Sequence, residues 1–400
     1  MPIITMQQFT VLKGGKEDNP LPVYSFVEAE VTDTRLMGVL GLWVHWIRIN
    51  KELDEESHIH MFFYYDIEEL GLDTLSIYEL YDEEHVNLAK RASFGGLGAE
   101  YISVSEKECR FLINSFVKET IRRKEELPKE VDYLAFVLDN PPELSSDEIF
   151  DLNLKMCTDL KNDYSIVHYY LMRGFGKDEE GVKLLRNQGL DESRFDDLSL
   201  QKHATFLKNQ IEEFYNNDGT MSYLSESLVE SERQHYICIS EIKIAGGKVL
   251  EARKKKCFAV SIQEASMLLA REEYVTVYRI LCPMEDFDID FAPITVGTTR
   301  TEHENGDMFM DFKPNNNHVN DKEFRLYNDI RTLYFVSDFG ELIVAAYTLE
   351  EIKLAELRIR NSTIMPDTAL MVKMQLAHSV IYDFAQSDFS SFGEFIKSLE

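Results

Sequence analysis

The residues best suited to chemistry in this chain are two histidines one position apart. His58 and His60 flank Ile59 in the run HIHMFFYY, and Asp66 follows six residues later. Alternation on a strand puts both imidazoles on one face, and two histidines with a carboxylate are a recurrent transition-metal set. The same parity places Phe62 and Tyr64 on that face, which suits packing equally well, and spacing assigns no third ligand. A second group is Asp286, Asp288 and Asp290, alternating with Phe287, Ile289 and Phe291. Extended chain would gather the three carboxylates on one side as oxygen ligands for Mg²⁺ or Ca²⁺. The glycine and distal glutamate of an EF-hand loop are missing, and an acidic outer face guarding a sheet edge is the plainer reading. A third group, Glu302-His303-Glu304 with Asp307, offers a histidine that a carboxylate could orient for proton transfer; it reads equally as a charged surface loop.

Other motifs resolve toward structure. Phe94-Gly95-Gly96-Leu97-Gly98 follows Lys90-Arg91, but it leads into a strand-like run and not into the helix that a phosphate-binding turn requires. It reads as a tight turn or bulge. Arg253 to Lys256, RKKK, is the one dense basic run and is too short for nucleic-acid binding; it has the protein's own acids to pair with, or an anionic ligand to grip. No nucleophile elbow, HExxH pair or kinase set occurs, and no cofactor is expected. The five cysteines, Cys109, Cys157, Cys238, Cys257 and Cys282, form no CxxC pair and read as free thiols in a reducing compartment.

The elements that must position these residues are announced by a recurrence. Ser105-x-x-Glu108, Ser145-x-x-Glu148, Ser261-x-x-Glu264 and Thr348-x-x-Glu351 are capping boxes, each trailing an apolar run and opening a helical pattern. Leu36 to Ile49 reads as a strand buried on both faces, being shorter than the roughly 20 residues of a membrane span. It forms a hairpin or meander with His58 to Tyr65. Helix-like stretches are expected in 67–92, a strand at 100–104, a central strand at 133–138 (YLAFVL), a helix at 200–215, a hairpin turning at Ala245 to Lys248, and a final helix over 367–386. Residues 164–172 fit strand or helix, and 283–323 read as a long irregular stretch. A hairpin, box and helix appear at both 236–271 and 332–360, which is ordinary α+β construction or a duplicated lobe.

Composition bounds the rest. Four hundred residues imply two domains, drawn here as 1–195 and 196–400, both α+β. The 42 bases against 71 acids give a net charge of −29, and residues 51–100 hold 13 acids and 3 bases. Such a surface repels nucleic-acid phosphates and anionic membranes. The N-terminal residues lack the pattern of a secretory signal. The expectation is an acidic, cytoplasmic, non-enzymatic protein that meets a protein partner through its acidic surface. The alternative is a metal-dependent hydrolase using His58, His60 and the Asp286–Asp290 cluster.

Overall fold

The computed structural model describes residues 23–35, 38–50, 55–66, 71–185, 200, 202–287, 298–313, 317–326 and 328–399. The fold is α+β, with three sheets in which every pairing between described strands is antiparallel. The chain runs β1 (Val23–Thr32), β2 (Val39–Asn50), β3 (Glu55–Asp66), β4 (Gly71–Glu79), α1 (Glu83–Phe94), β5 (Tyr101–Ser103), α2 (Glu106–Arg123), α3 (Ala135–Leu138), α4 (Ser146–Lys155), α5 (Asp163–Phe175) and α6 (Glu179–Leu185). It continues β6 (Thr205–Tyr215), β7 (Met221–Ser231), β8 (Gln234–Ala245), β9 (Lys248–Val260), α7 (Ile262–Leu269) and β10 (Glu273–Ile280). Then come β11 (Thr298–His303), β12 (Gly306–Phe312), β13 (Glu323–Arg325), β14 (Ile330–Ser337), β15 (Glu341–Ala346), α8 (Leu349–Arg360), β16 (Thr368–Leu376), α9 (Ile381–Ala385) and α10 (Phe392–Leu399).

The first sheet has the order β4-β3-β2-β1-β5. One face packs Leu42, Val44, Trp46, Met61 and Phe63 against α2, α3 and α4. The other face carries Trp43 and Phe62, covered by Val86, Phe94 and Leu97 of α1 and its C-terminal turn. β2 is therefore buried from both sides, as its unbroken apolar run requires. The second sheet, β13-β6-β7-β8-β9, is covered by α5 and α6, and this core joins residues from before and after position 195. The boundary expected at 195 lies outside the described residues. The third sheet, β11-β12-β14-β15-β10-β16, packs α9 and α10 on one face and α8 on the other.

All four capping signals open helices. Ser105, Ser145 and Ser261 form reciprocal boxes with Glu108, Glu148 and Glu264. At Thr348 the hydroxyl accepts from the Glu351 N–H at 3.2 Å and donates to its carboxylate at 3.0 Å. Two further starts use other caps, Asp82 for α1 and Asn162 for α5. The ambiguous segment at 164–172 is helix α5, buried along its whole circumference.

Several expected elements are different. The YLAFVL segment is a 3₁₀ turn, Lys129–Leu134, running into α3. Only Leu134 and Val137 are fully buried there, a spacing of three, while Tyr133 points to solvent. Residues 71–79 and 205–215 are strands and not helices. In β6, Phe206 and Ile211 pack on the α5 side and Leu207 on the other, a parity change made by a bulge between Phe206 and Lys208. In the serine-rich β7, which carries no apolar strand pattern, Ser225 and Ser227 donate to a buried Asn209, whose amide meets His168 at 3.0 Å. Residues 368–376, expected within a final helix, form β16. The stretch 283–323 contains the hairpin β11–β12 and the start of β13.

Charged side chains tie the turn between α5 and α6 to the segment that follows β1. Asp178, in the turn between the two helices, accepts from both terminal nitrogens of Arg35, one at 2.7 Å, and lies 3.4 Å from Arg173. All three are buried. Arg35 holds the Asp178 carboxyl down at about 2 against the burial that would raise it.

Candidate functional site

The structure brings a third histidine to His58 and His60. His45 on β2 lies directly across from His60, and Ile47 lies across from His58. The three rings form a stack, with centroids 4.2 Å apart for His45–His60 and 5.1 Å for His45–His58, and Trp43 extends it 5.7 Å beyond His60. His60 Nδ1 accepts from the Trp43 indole at 3.2 Å, and its other nitrogen faces the Leu80 carbonyl. Nδ1 of His60 is thus engaged by the indole N–H. His45 Nε2 and His58 Nδ1 share a hydrogen bond at 3.0 Å, and His45 Nδ1 stands 3.8 Å from Glu28. Burial, with His45 next to it, pushes His60 down to about 4, and burial also lowers His45. Asp66 closes β3 six residues from His60, about 20 Å along a strand, so it does not share their site. Among the described residues no group of three or more histidines, cysteines or carboxylates is arranged to hold a metal ion. The stack is a polar lining on the sheet face beside α1.

The other candidates also find places. Asp286 is exposed in a 3₁₀ turn after β10, while Asp288 and Asp290 lie outside the described residues. Glu302 and His303 end β11, Glu304 sits in the turn, and Asp307 belongs to β12, where it pairs with Arg300 at 2.8 Å. Burial lowers His303, whose ring meets Phe335 edge-on. This segment is a tight hairpin: a Cβ on Gly306 would lie 2.1 Å from the Val336 carbonyl oxygen. Gly95 to Leu97 form a 3₁₀ turn, and Gly98 adopts φ +56°. The basic run Arg253–Lys256 lies on β9, the outer strand of its sheet, where Arg253 and Lys255 reach Glu241 at 3.1 and 2.5 Å. Lysines on an outer strand discourage pairing with other chains.

The cysteines are not all free. Cys238 and Cys257 are bridged across β8 and β9. The turn register, Ala245 opposite Lys248, would set Cys238 opposite Lys255. Two bulges in β9 slide the pairing by two residues and bring Cys257 into place. Spacing alone does not reveal that.

The most distinctive surface is β16, at the open end of the third sheet. Its inner side pairs with β10 from Glu273↔Leu376 to Ile280↔Thr368, and among the described residues no strand pairs with its outer side. Three consecutive apolar residues, Leu370, Met371 and Val372, are 54%, 47% and 41% exposed. Its one charge, Lys373, is drawn onto Glu356 of α8. A bulge between Val277 and Tyr278 pairings leaves Met371 without a direct partner on β10. Exposed acids flank it: Asp367 before the strand, Glu285 and Asp286 after β10, and Glu272 beside its far end. Outer strands are ordinarily guarded by charge, proline or short length; β16 runs nine residues without proline, and its one charge, Lys373, is held by Glu356. Its helical stripe of Leu370, Met374, Ala377, Ile381 and Phe384 misleads, because residues 368–376 pair with β10 as a strand and only 381–385 are helical.

Compared with known proteins, the chain matches no family model, no curated protein and no solved structure. No helix among the described residues is long and apolar enough to cross a membrane.

Proposed function

We propose that this protein is a non-enzymatic binding protein that captures an extended, basic-flanked segment of a partner protein as an added strand on β16. The single observation carrying the reading is that, among the described residues, no strand pairs with the outer edge of β16. Strand addition satisfies a row of backbone donors and acceptors in one step, while side-chain contacts set specificity. Leu370, Met371 and Val372 offer the apolar contacts. The acids at Asp367, Glu285, Asp286 and Glu272, within a chain of net charge −29, favour lysine or arginine at the segment's ends. The acidity thereby acquires a function beyond solubility, since complementary charge speeds encounter and rejects acidic competitors.

The test uses two fluorescent peptides with the same alternating valine–threonine centre, one flanked by lysines and one by glutamates. The lysine-flanked peptide binds at least tenfold tighter by anisotropy. The double substitution Met371→Lys and Val372→Lys, at exposed positions where fold stability changes little, abolishes that binding with an unchanged melting temperature. Equal binding of the two peptides, or full binding by the variant, defeats the proposal.

A further inference from the structure

The Cys238–Cys257 pair carries an inference independent of β16. The two cysteines are direct partners on adjacent antiparallel strands, with Cα atoms 4.2 Å apart. The ladder from His235↔Val260 to Ala245↔Lys248 already joins these strands, so the hairpin does not depend on the bridge. The cysteines differ in access. Cys238 is fully buried beneath α5, whereas Cys257 is half-buried on the outer strand of the sheet. Cys257 directly follows Arg253–Lys256, the densest cationic run in an acidic chain. Lys254 lies opposite Ser240, two residues from Cys238 on the same strand and therefore on the face that carries the bridge. A partly exposed thiol in a cationic setting is the reactive kind. Cys109 and Cys157 are the opposite: burial drives the Cys109 thiol well above its ordinary value and pushes Cys157 up to about 12, and the Cys157 thiol donates to the Asn153 carbonyl at 3.1 Å.

We infer that Cys257 and Cys238 are a reversible redox pair, in which Cys257 meets an anionic small-molecule disulfide of the glutathione class and Cys238 resolves the adduct. The Cys257 thiolate attacks one sulfur of the oxidant, and the other sulfur departs as a thiolate that takes up the proton Cys257 released. Cys238 then gives up its proton and attacks the Cys257 sulfur, expelling the second small thiol. Two protein S–H groups become one S–S bond, and the oxidant's S–S bond becomes two S–H groups, carrying away two electrons and two protons. Reduction by excess of the small thiol runs the same steps backward. Lys254, on the face that carries the bridge, draws the anionic oxidant towards Cys257, and the rest of the run adds longer-range attraction.

The experiment uses the full chain, fully reduced and then exposed to glutathione disulfide, with alkylation and peptide mass spectrometry at intervals. In the native protein the Cys238–Cys257 linked peptide accumulates before any adduct on Cys109, Cys157 or Cys282, and excess glutathione reverses it. Cys238→Ser traps glutathione on Cys257, whereas Cys257→Ser leaves Cys238 unmodified. Raising ionic strength from about 0.01 M to about 0.15 M shortens the Debye length from about 30 Å to about 8 Å, and the rate falls severalfold; Lys254→Gln with Lys256→Gln slows it in the same direction. The inference is overturned if the native reduced protein keeps both thiols under excess oxidant, if Cys238 takes the adduct in place of Cys257, or if the rate ignores both salt and the lysine substitutions. Because the first readout uses the unsubstituted chain, a folding defect in any variant does not shield the idea.

Discussion

Glu273 makes the stability of this protein depend on pH in an unusual direction. It begins β10 and is fully buried, with Oε2 accepting from the Val380 and Ile381 amides at 2.8 and 3.2 Å, at the start of α9. Oε1 finds no hydrogen-bond partner among the described residues. Burial outweighs the two amide donors and pushes the carboxyl from its ordinary 4.5 up to about 7. The folded state therefore keeps a proton that the unfolded chain has lost throughout pH 4.5 to 7. Stability from this group is complete below pH 4.5 and is lost as pH rises through 7. Two and a half pH units at about 1.4 kcal/mol each make the loss about 3.5 kcal/mol. His60 and His203, both pushed down to about 4, slope the opposite way over part of this range, so the informative quantity is the difference from Glu273→Gln. Glutamine holds the neutral form at every pH, although its amide meets the same unpartnered space that Oε1 occupies. Urea unfolding at half-unit intervals from pH 4.5 to 8 supplies the two curves. The wild-type curve falls relative to the variant by about 1.4 kcal/mol per pH unit between 4.5 and 7, then runs parallel to it. Parallel curves across the whole range would refute the reasoning, because they would show Glu273 ionising in the folded protein as it does in water.

Two further substitutions test the buried polar groups. His60→Gln makes the acid limb shallower: as pH falls from 6.5 towards 4 the wild type loses up to about 3.5 kcal/mol more than the variant, less where water at the open side of the sheet screens the ring, while His203 and His45 keep their share of the slope in both; equal acid limbs in urea unfolding count against a buried, neutral His60. Asp178→Ala leaves Arg35 and Arg173 buried without their shared carboxylate and costs about 3–5 kcal/mol at pH 7. Removing the exposed Lys202–Glu232 pair instead costs under about 1 kcal/mol, and similar losses for the two would show the buried triad to be solvated.

What the sequence determined by itself was local. The three serine boxes and Thr348 open helices because cap and amide lie within one turn, so three or four residues decide the geometry. The paired strands at His58 to Tyr65 and around Ala245 to Lys248 were legible for the same reason, one from its apolar parity and the other from its glycine turn. Tertiary structure decided what depends on partners far along the chain. His45 joins His60 only through the register of β2 on β3, and Cys257 meets Cys238 only after two bulges. Segment 368–376 has a helical stripe, yet the unpaired backbone edge of β10 draws it in as a strand, since a sheet edge supplies hydrogen bonds that the segment's own pattern does not record. The YLAFVL segment shows the reverse: apolar content alone reads as a central strand, but only Leu134 and Val137 are fully buried beside α2, with Phe136 and Leu138 partly so, and a three-residue period closes the turn. Short-range hydrogen bonding is written in neighbouring residues, whereas register, burial and exposed edges are properties of the assembled sheets.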